Sequence, residues 1–225
     1  MTTTAAPPTV RDRVTEIAHS LITARQDGYL RDTPKDVAAL ARLRRGAGRN
    51  AVEVPDLWGL IDTSPLHTPC DGQCHLNENE LGRAEVALHT ALTLWALHQQ
   101  SRSSRMHRRT SRSQPTGLGA SVRRLMPAGE IDEAIRKRLV RAGTAPDLAA
   151  LAQRLRELAV LLRSADTPLD YALLAGQLYT WQWPTGPATV RREWGRSFHT
   201  RRHTAEQEPP HTDTTLPSDT DKDAS

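Results

Sequence analysis

The sequence predicts an all-α protein, and three observations carry that expectation. Hydrophobic residues make up 37% of the 225-residue chain but aromatic residues only 4%, so a core must be assembled from Leu, Ala and Val rather than from the β-branched and aromatic runs typical of strands. Apolar residues recur at helical spacing, most cleanly at Leu148, Leu151, Leu155, Leu158 and Leu162. No segment alternates in the strand manner or carries a hairpin signal. One Phe and three Tyr also argue against sheet platforms that stack bases on aromatic rings.

The elements follow in order. Residues 1–8 (MTTTAAPP) are expected to be a disordered N-terminus. An amphipathic helix runs from about Thr9 to Tyr29, with Val10, Val14, Ile17, Ala18, Leu21 and Ile22 on one face. Thr33-Pro34 supplies a cap and then Pro at the first helical position, opening a second helix to about Arg45 that Gly46 and Gly48 end. Residues 49–79 are irregular except for a helical turn at Pro55–Ile61. Leu81, Ala84, Leu88, Ala91, Leu92, Trp95 and Ala96 mark a long buried helix over Glu80–Gln100. A Ser/Arg-rich loop, Ser101–Gly117, leads to a short helix at Gly119–Met126. Further helices are expected over Ile131–Ala142, from Pro146 through the Leu148–Leu162 stripe, from Thr167-Pro168 to about Trp183, and from Pro187 to about Phe198. The expected organisation is two small helical bundle domains, 9–126 and 127–203, with a disordered acidic tail at 204–225.

Charge points to a polyanion. The net charge is +4, but the tail holds Glu206, Glu208, Asp213, Asp219, Asp221 and Asp223 against one Lys222. Residues 1–205 therefore carry 29 basic and 20 acidic side chains, a net of +9. Nearly all the positive charge is Arg, whose planar fork matches phosphate oxygens where Lys offers a point charge. Between Glu85 and Glu130 there is no acid at all, yet Arg102, Arg105, Arg108, Arg109, Arg112, Arg123 and Arg124 fall there. A single-sign stretch repels itself unless something anionic answers it. The loop portion is thus expected to be mobile until phosphate orders it. Arg42, Arg44, Arg45 and Arg49, then Arg136, Lys137, Arg138 and Arg141, then Arg191, Arg192 and Arg196 form further clusters, as a path of phosphate contacts requires.

Other classes find little support. There is no Walker loop, nucleophile elbow or HExxH motif, so no enzymatic activity and no cofactor is expected. No apolar run reaches the ~18 residues of a membrane span and Met1–Thr9 has no signal-peptide core, so the chain is expected to be soluble and cytoplasmic, with no membrane partner. His67, Cys70, Cys74 and His75 place four potential zinc ligands in one turn-rich segment. Their spacing matches no common finger, and a surface loop is the default. Ile131–Arg156 also admits a helix-turn-helix reading, hence a DNA-binding transcription regulator. Its second helix, however, offers Gln153 as the one obvious base-reading side chain.

Several segments occur in a telling order: LRRG at Leu43–Gly46, HTALTLWALHQQ at His89–Gln100, Met106-His107, GLGASVRRLM at Gly117–Met126, PLDYALLAGQLYTWQWP at Pro168–Pro184 and VRREWGRSF at Val190–Phe198. In them the chain resembles the CasB family, the small subunit of the type I-E CRISPR surveillance complex Cascade. The resemblance implies a non-catalytic, all-helical protein of antiviral defence that pairs head to tail with a second copy of itself among other Cascade subunits. It implies that the pair holds CRISPR RNA and the target and non-target DNA strands, stabilising the R-loop. By position, the family's basic contacts fall on Arg44, Arg45, Arg123, Arg124, Arg138, Arg191 and Arg192. Arg154 and Arg156 join them because they lie off the Leu148–Leu162 stripe. The 62–79 loop, the extra arginines of 102–112 and the acidic tail depart from the family pattern.

Overall fold

Local capping chemistry sets most helix starts in the computed structural model, which describes residues 9–57, 59–67 and 76–199. The expected N-terminal and C-terminal tails, 1–8 and 204–225, lie outside the described residues. Thr9 accepts from the Asp12 amide while the Asp12 carboxylate accepts from the Thr9 amide, opening α1 (Val10–Leu30) with a reciprocal cap. Pro34 starts α2 (Pro34–Leu43) by its preset φ alone, for the Thr33 hydroxyl makes no capping bond. A 3-10 turn, Arg44–Gly46, follows directly. Short 3-10 turns at Ala51–Glu53 and Pro55–Leu57 lead to α3 (Ser64–His67), a single turn the sequence did not announce. Asn77 and Glu80 form a second reciprocal cap and open α4 (Glu78–Gln99) two residues earlier than the apolar pattern suggested. Then come α5 (Leu118–Arg123), α6 (Glu133–Gly143), α7 (Leu148–Ser164), α8 (Tyr171–Trp181) and α9 (Gly186–His199).

One start differs from expectation for a tertiary reason. Thr167-Pro168 does not open α8; Asp170 does, its carboxylate accepting from the Leu173 amide at 2.9 Å. Residues 167–169 instead leave the helix pattern, because Leu169 pairs with His107, 62 residues earlier. Its amide donates to Met106 O at 2.9 Å and its carbonyl accepts from Arg108 N at 3.4 Å. This His107–Leu169 bridge is the one strand-like pairing among the described residues.

Helix α4 is the axis of the molecule. From Ala87 to Gln99 every residue is buried, as a helix enclosed on all sides requires. Helices α1, α2, α7 and α8 pack around it, α1 also lies along α8, and α5 lies along α9. One apolar cluster takes Val14, Ile22, Leu92 and Trp95 together with Leu155, Leu162, Tyr171 and Trp194. The core thus crosses the position near residue 127 where the sequence suggested a division. Helices α5 and α9 approach so closely that a Cβ on Gly119 would lie 2.0 Å from Trp194 O. No helix among the described residues is long and apolar enough to cross a membrane.

Two buried glutamines bond the backbone of the Ser/Arg-rich loop between residues 102 and 107. Gln26 Oε1 accepts from the His107 amide at 2.8 Å and from Trp95 Nε1 at 3.3 Å, while Gln26 Nε2 donates to His107 O at 3.2 Å. Gln99 Nε2 donates to the carbonyls of Arg102 and Ser104, and Gln99 Oε1 accepts from the Met106 amide. Met106 and His107 are consequently buried at the centre of a loop that is otherwise polar.

Candidate nucleic-acid interface

The acid-free stretch finds its counter-charges elsewhere in the chain. Arg102 pairs with Asp166 at 3.1 Å, Arg105 with Asp27, and Arg109 holds Glu16 with both guanidinium ends. Hydrogen bonding to Arg109 holds the Glu16 carboxyl below the usual carboxylate range. Three arginines that suggested phosphate binding are thus engaged within the protein. Arg108 and Arg112 stay exposed, with no ion pair among the described residues. Because the Arg109–Glu16 pair is exposed, Arg109→Ala is expected to lower stability by less than about 1 kcal/mol. Denaturant melts check this, since the glutamines should still hold the loop.

A second group of arginines is brought together by tertiary contacts. Arg44 and Arg45 are exposed on the 3-10 turn after α2. The turn is seated by Gly46, where a Cβ would meet Leu57 Cδ1 at 2.6 Å and Thr93 Cγ2 at 2.9 Å. Gly48, at φ +80°, turns its carbonyl to accept from Gln153 Nε2 of α7 at 2.6 Å and lies against the Arg156 side chain. On the other flank of α7, Arg154 donates to Arg141 O in the last turn of α6. Arg191 of α9 donates to Gly143 O of the same turn at 3.3 Å. These contacts place Arg156 beside the segment that follows Arg44 and Arg45 on one flank of α7, and Arg154 with Arg191 at the end of α6 on the other, with Arg192 exposed next to Arg191.

The remaining candidates stand differently. Arg138 lies 3.7 Å from Glu157, a half-exposed pair. Arg123 donates to Pro127 O at 3.1 Å, and Arg124 to Ser121 Oγ and Pro168 O at 3.1 and 3.3 Å. These last two are half-buried at the end of α5 and turn toward Pro127 and Pro168, not toward the α7 contacts. Arg141, of the Arg136–Arg141 cluster, is met through its backbone, its carbonyl accepting from Arg154. Gln153, the base-reading side chain of the helix-turn-helix reading, spends its amide on Gly48. Leu151, Leu155, Leu158 and Leu162 are buried.

Of the metal-ligand candidates, His67 is exposed at the end of α3, while Cys70, Cys74 and His75 lie outside the described residues. No three His, Cys, Asp or Glu side chains among the described residues are grouped to hold a metal. The buried histidines serve packing. His98 Nδ1 lies 2.9 Å from the Tyr171 hydroxyl, and burial pushes its pKa down to about 3. His107 Nδ1 accepts from the Tyr171 amide, so Nε2 carries the proton and donates to His19 Nδ1 at 3.0 Å. Burial, against the opposing pull of Asp170, takes the His107 pKa down to about 4.

The family model for CRISPR-associated protein Cse2 matches residues 39–199. The chain belongs to the CasB/Cse2 family. CasB from Thermobifida fusca, known as a crystal structure, is 48% identical and superposes with a TM-score of 0.73, covering 84% of this chain and 98% of that one. A chain of a CRISPR RNA-guided surveillance complex is 22% identical with a TM-score of 0.58, covering 82% and 95%, a likeness of fold. No curated protein sequence matches. All nine arginines selected from the sequence, Arg44 to Arg192, fall inside the Cse2 segment. Glu16 and Asp27, which neutralise two of the loop arginines, precede it on α1.

Proposed function

We propose that this Cse2-family protein is the non-catalytic small subunit of a Cascade surveillance complex. In this reading it holds the backbone of CRISPR RNA and of the target and displaced DNA strands, and so keeps the R-loop open in antiviral defence. The observation that carries the proposal is the set Arg44, Arg45, Arg156, Arg154 and Arg191, which stands on the turn after α2 and on α7 and α9, while Arg102, Arg105 and Arg109 of the loop are matched to carboxylates. Base pairing supplies sequence in such a complex, leaving the protein to recognise backbone. Exchange of duplex for heteroduplex is nearly balanced, so a few phosphate contacts suffice to tip it. Arg123, Arg124, Arg138 and Arg192 complete the proposed surface, with a second copy of the chain and the other Cascade subunits as protein partners.

The test is the salt dependence of target binding by the assembled complex. Arg44→Ala and Arg45→Ala together are expected to reduce the slope of log K against log salt by about 1.4 to 1.8, at roughly 0.7 per phosphate on single strands and 0.9 on duplex. The loss should be equal across target sequences. Arg109→Ala, whose guanidinium is held by Glu16, should leave the slope unchanged. A loss confined to certain target sequences, or an unchanged slope in the double variant, would overturn the reading.

A further inference from the structure

Beside α5, the 108–116 loop and the 166–168 turn border an open cavity of about 280 Å³. Arg108, Gln114, Pro115, Arg124, Asp166 and Pro168 are among the residues that line it. We propose that this cavity receives one nucleobase extruded from a bound single strand, and that guanine is the base it prefers. The inference rests on the nucleic-acid reading above but adds a contact to a base, where that reading has contacts to backbone alone.

Size limits the ligand first. The cavity lies just below the range of pockets for small organic molecules, roughly 300–1,000 Å³, so it suits a single base and not a run of nucleotides. Its walls suit a flat ring. Pro115 and Pro168 present apolar surface, and neither carries an amide proton that a bound base would leave unpaired. The Pro168 carbonyl accepts from Ser121 Oγ at 2.8 Å and from Arg124 Nη2 at 3.3 Å. That contact holds the Arg124 guanidinium in place, and guanidinium planes serve as stacking surfaces for unpaired bases.

The polar lining then distinguishes a base from a bare phosphate. Arg108 and Arg124 alone would suit an anion, but Asp166 repels one. Asp166 is also anchored. It sits at φ +47°, and its Oδ1 accepts from Arg102 at 3.1 Å, which fixes the carboxylate of this lining residue at the cavity's exposed edge. A ligand that satisfies both a carboxylate and a guanidinium must present donors and acceptors together. Guanine does so: its N1–H and N2–H₂ face an acceptor, while O6 and N7 form the acceptor pair that Arg most often reads. The Gln114 amide, exposed at the rim, adds one more donor and acceptor.

The experiment uses the full-length chain and fluorescent phosphodiester strands of about ten abasic residues, either fully abasic or carrying one central guanine, adenine, cytosine or thymine. The fully abasic strand measures backbone binding, and the single base measures the cavity. The guanine strand is expected to bind at least about fivefold tighter than the abasic one, since stacking of one base is worth roughly 1–3 kcal/mol. Asp166→Asn should abolish the advantage of guanine over adenine. Arg108→Ala, a substitution at an exposed side chain, should bring the guanine strand to within about twofold of the abasic one. Equal affinity for guanine and abasic strands, with salt-dependent binding of both, overturns the cavity proposal and leaves the backbone reading standing. A guanine advantage that survives both substitutions also overturns it. Absence of binding to every strand overturns both readings.

Discussion

Gly119→Val is expected to destabilise the protein by at least about 3 kcal/mol, seen as a large drop in the denaturant midpoint. A Cβ at this position would lie 2.0 Å from Trp194 O and 2.6 Å from Phe198 N, both backbone atoms of α9. Neither can rotate away as a flexible side chain would. Relief requires α9 to move as a body, and α9 carries Val190, Trp194 and Phe198 into the core. Trp194 is further tied down by its bond to Gln177 Oε1 at 2.8 Å and by stacking on Trp181. Ordinary overpacking costs about 1–3 kcal/mol where side chains can adjust, and here they cannot. Gly195→Ala supplies the contrast. It lies one residue beyond Trp194 on the exposed side of α9, with nothing within 4 Å of the position its Cβ would take. That substitution should stabilise by up to about 1 kcal/mol through helix propensity.

Acid is expected to unfold the protein by several kcal/mol between neutrality and about pH 3–4. His98 and His107 both have folded pKa values depressed by burial, to about 3 and about 4, from an ordinary value of 6.5. In the folded state they stay neutral, while the unfolded chain takes up protons as pH falls below about 6.5. The unfolded state then binds more protons, and stability falls with pH. The contribution is fully present above pH 6.5 and drains away down to each folded pKa. For His107 the difference amounts to about 3 kcal/mol. Urea midpoints at pH 7, 5.5 and 4.5 measure the slope. His98→Phe should flatten it by removing one of three such proton-binding sites, burial lowering the His89 pKa as well, whatever the substitution does to stability at pH 7. A slope unchanged by that substitution would show that His98 takes up no proton on unfolding.

How far the sequence discloses this molecule depends on the distance between cause and effect along the chain. Helix α4 is legible because the apolar residues from Leu81 to Ala96 are local neighbours, and the cap formed by Asn77 and Glu80 lies three residues wide. The Thr167-Pro168 signal misleads because its competitor, the Met106–Arg108 segment centred 62 residues before Leu169, wins the Leu169 backbone. The Ser/Arg loop misleads for the same reason. Composition displays Arg109 without an acid, while Glu16 stands 93 positions earlier. The arginine clusters are visible as clusters. Their linkage is not, because it is made by the contact of Gly48 with Gln153 and of Arg191 with Gly143. The cavity behind Arg108 has no sequence signature at all, being assembled from a loop, a turn and a helix end.

The end of α6 gives the proposed grip a built-in competitor. Arg154 and Arg191 each already donate to a carbonyl of its final turn. Any phosphate they take up must either share the guanidinium or displace that bond, leaving a helix-end carbonyl to water. Two of the linked arginines therefore act as latches whose closed position is the unliganded one. In the proposed grip, such contacts would bind a strand below their full strength. A surface built this way would favour turnover of the held strand over permanence, with Arg44 and Arg45, whose side chains make no bond among the described residues, as its first points of capture.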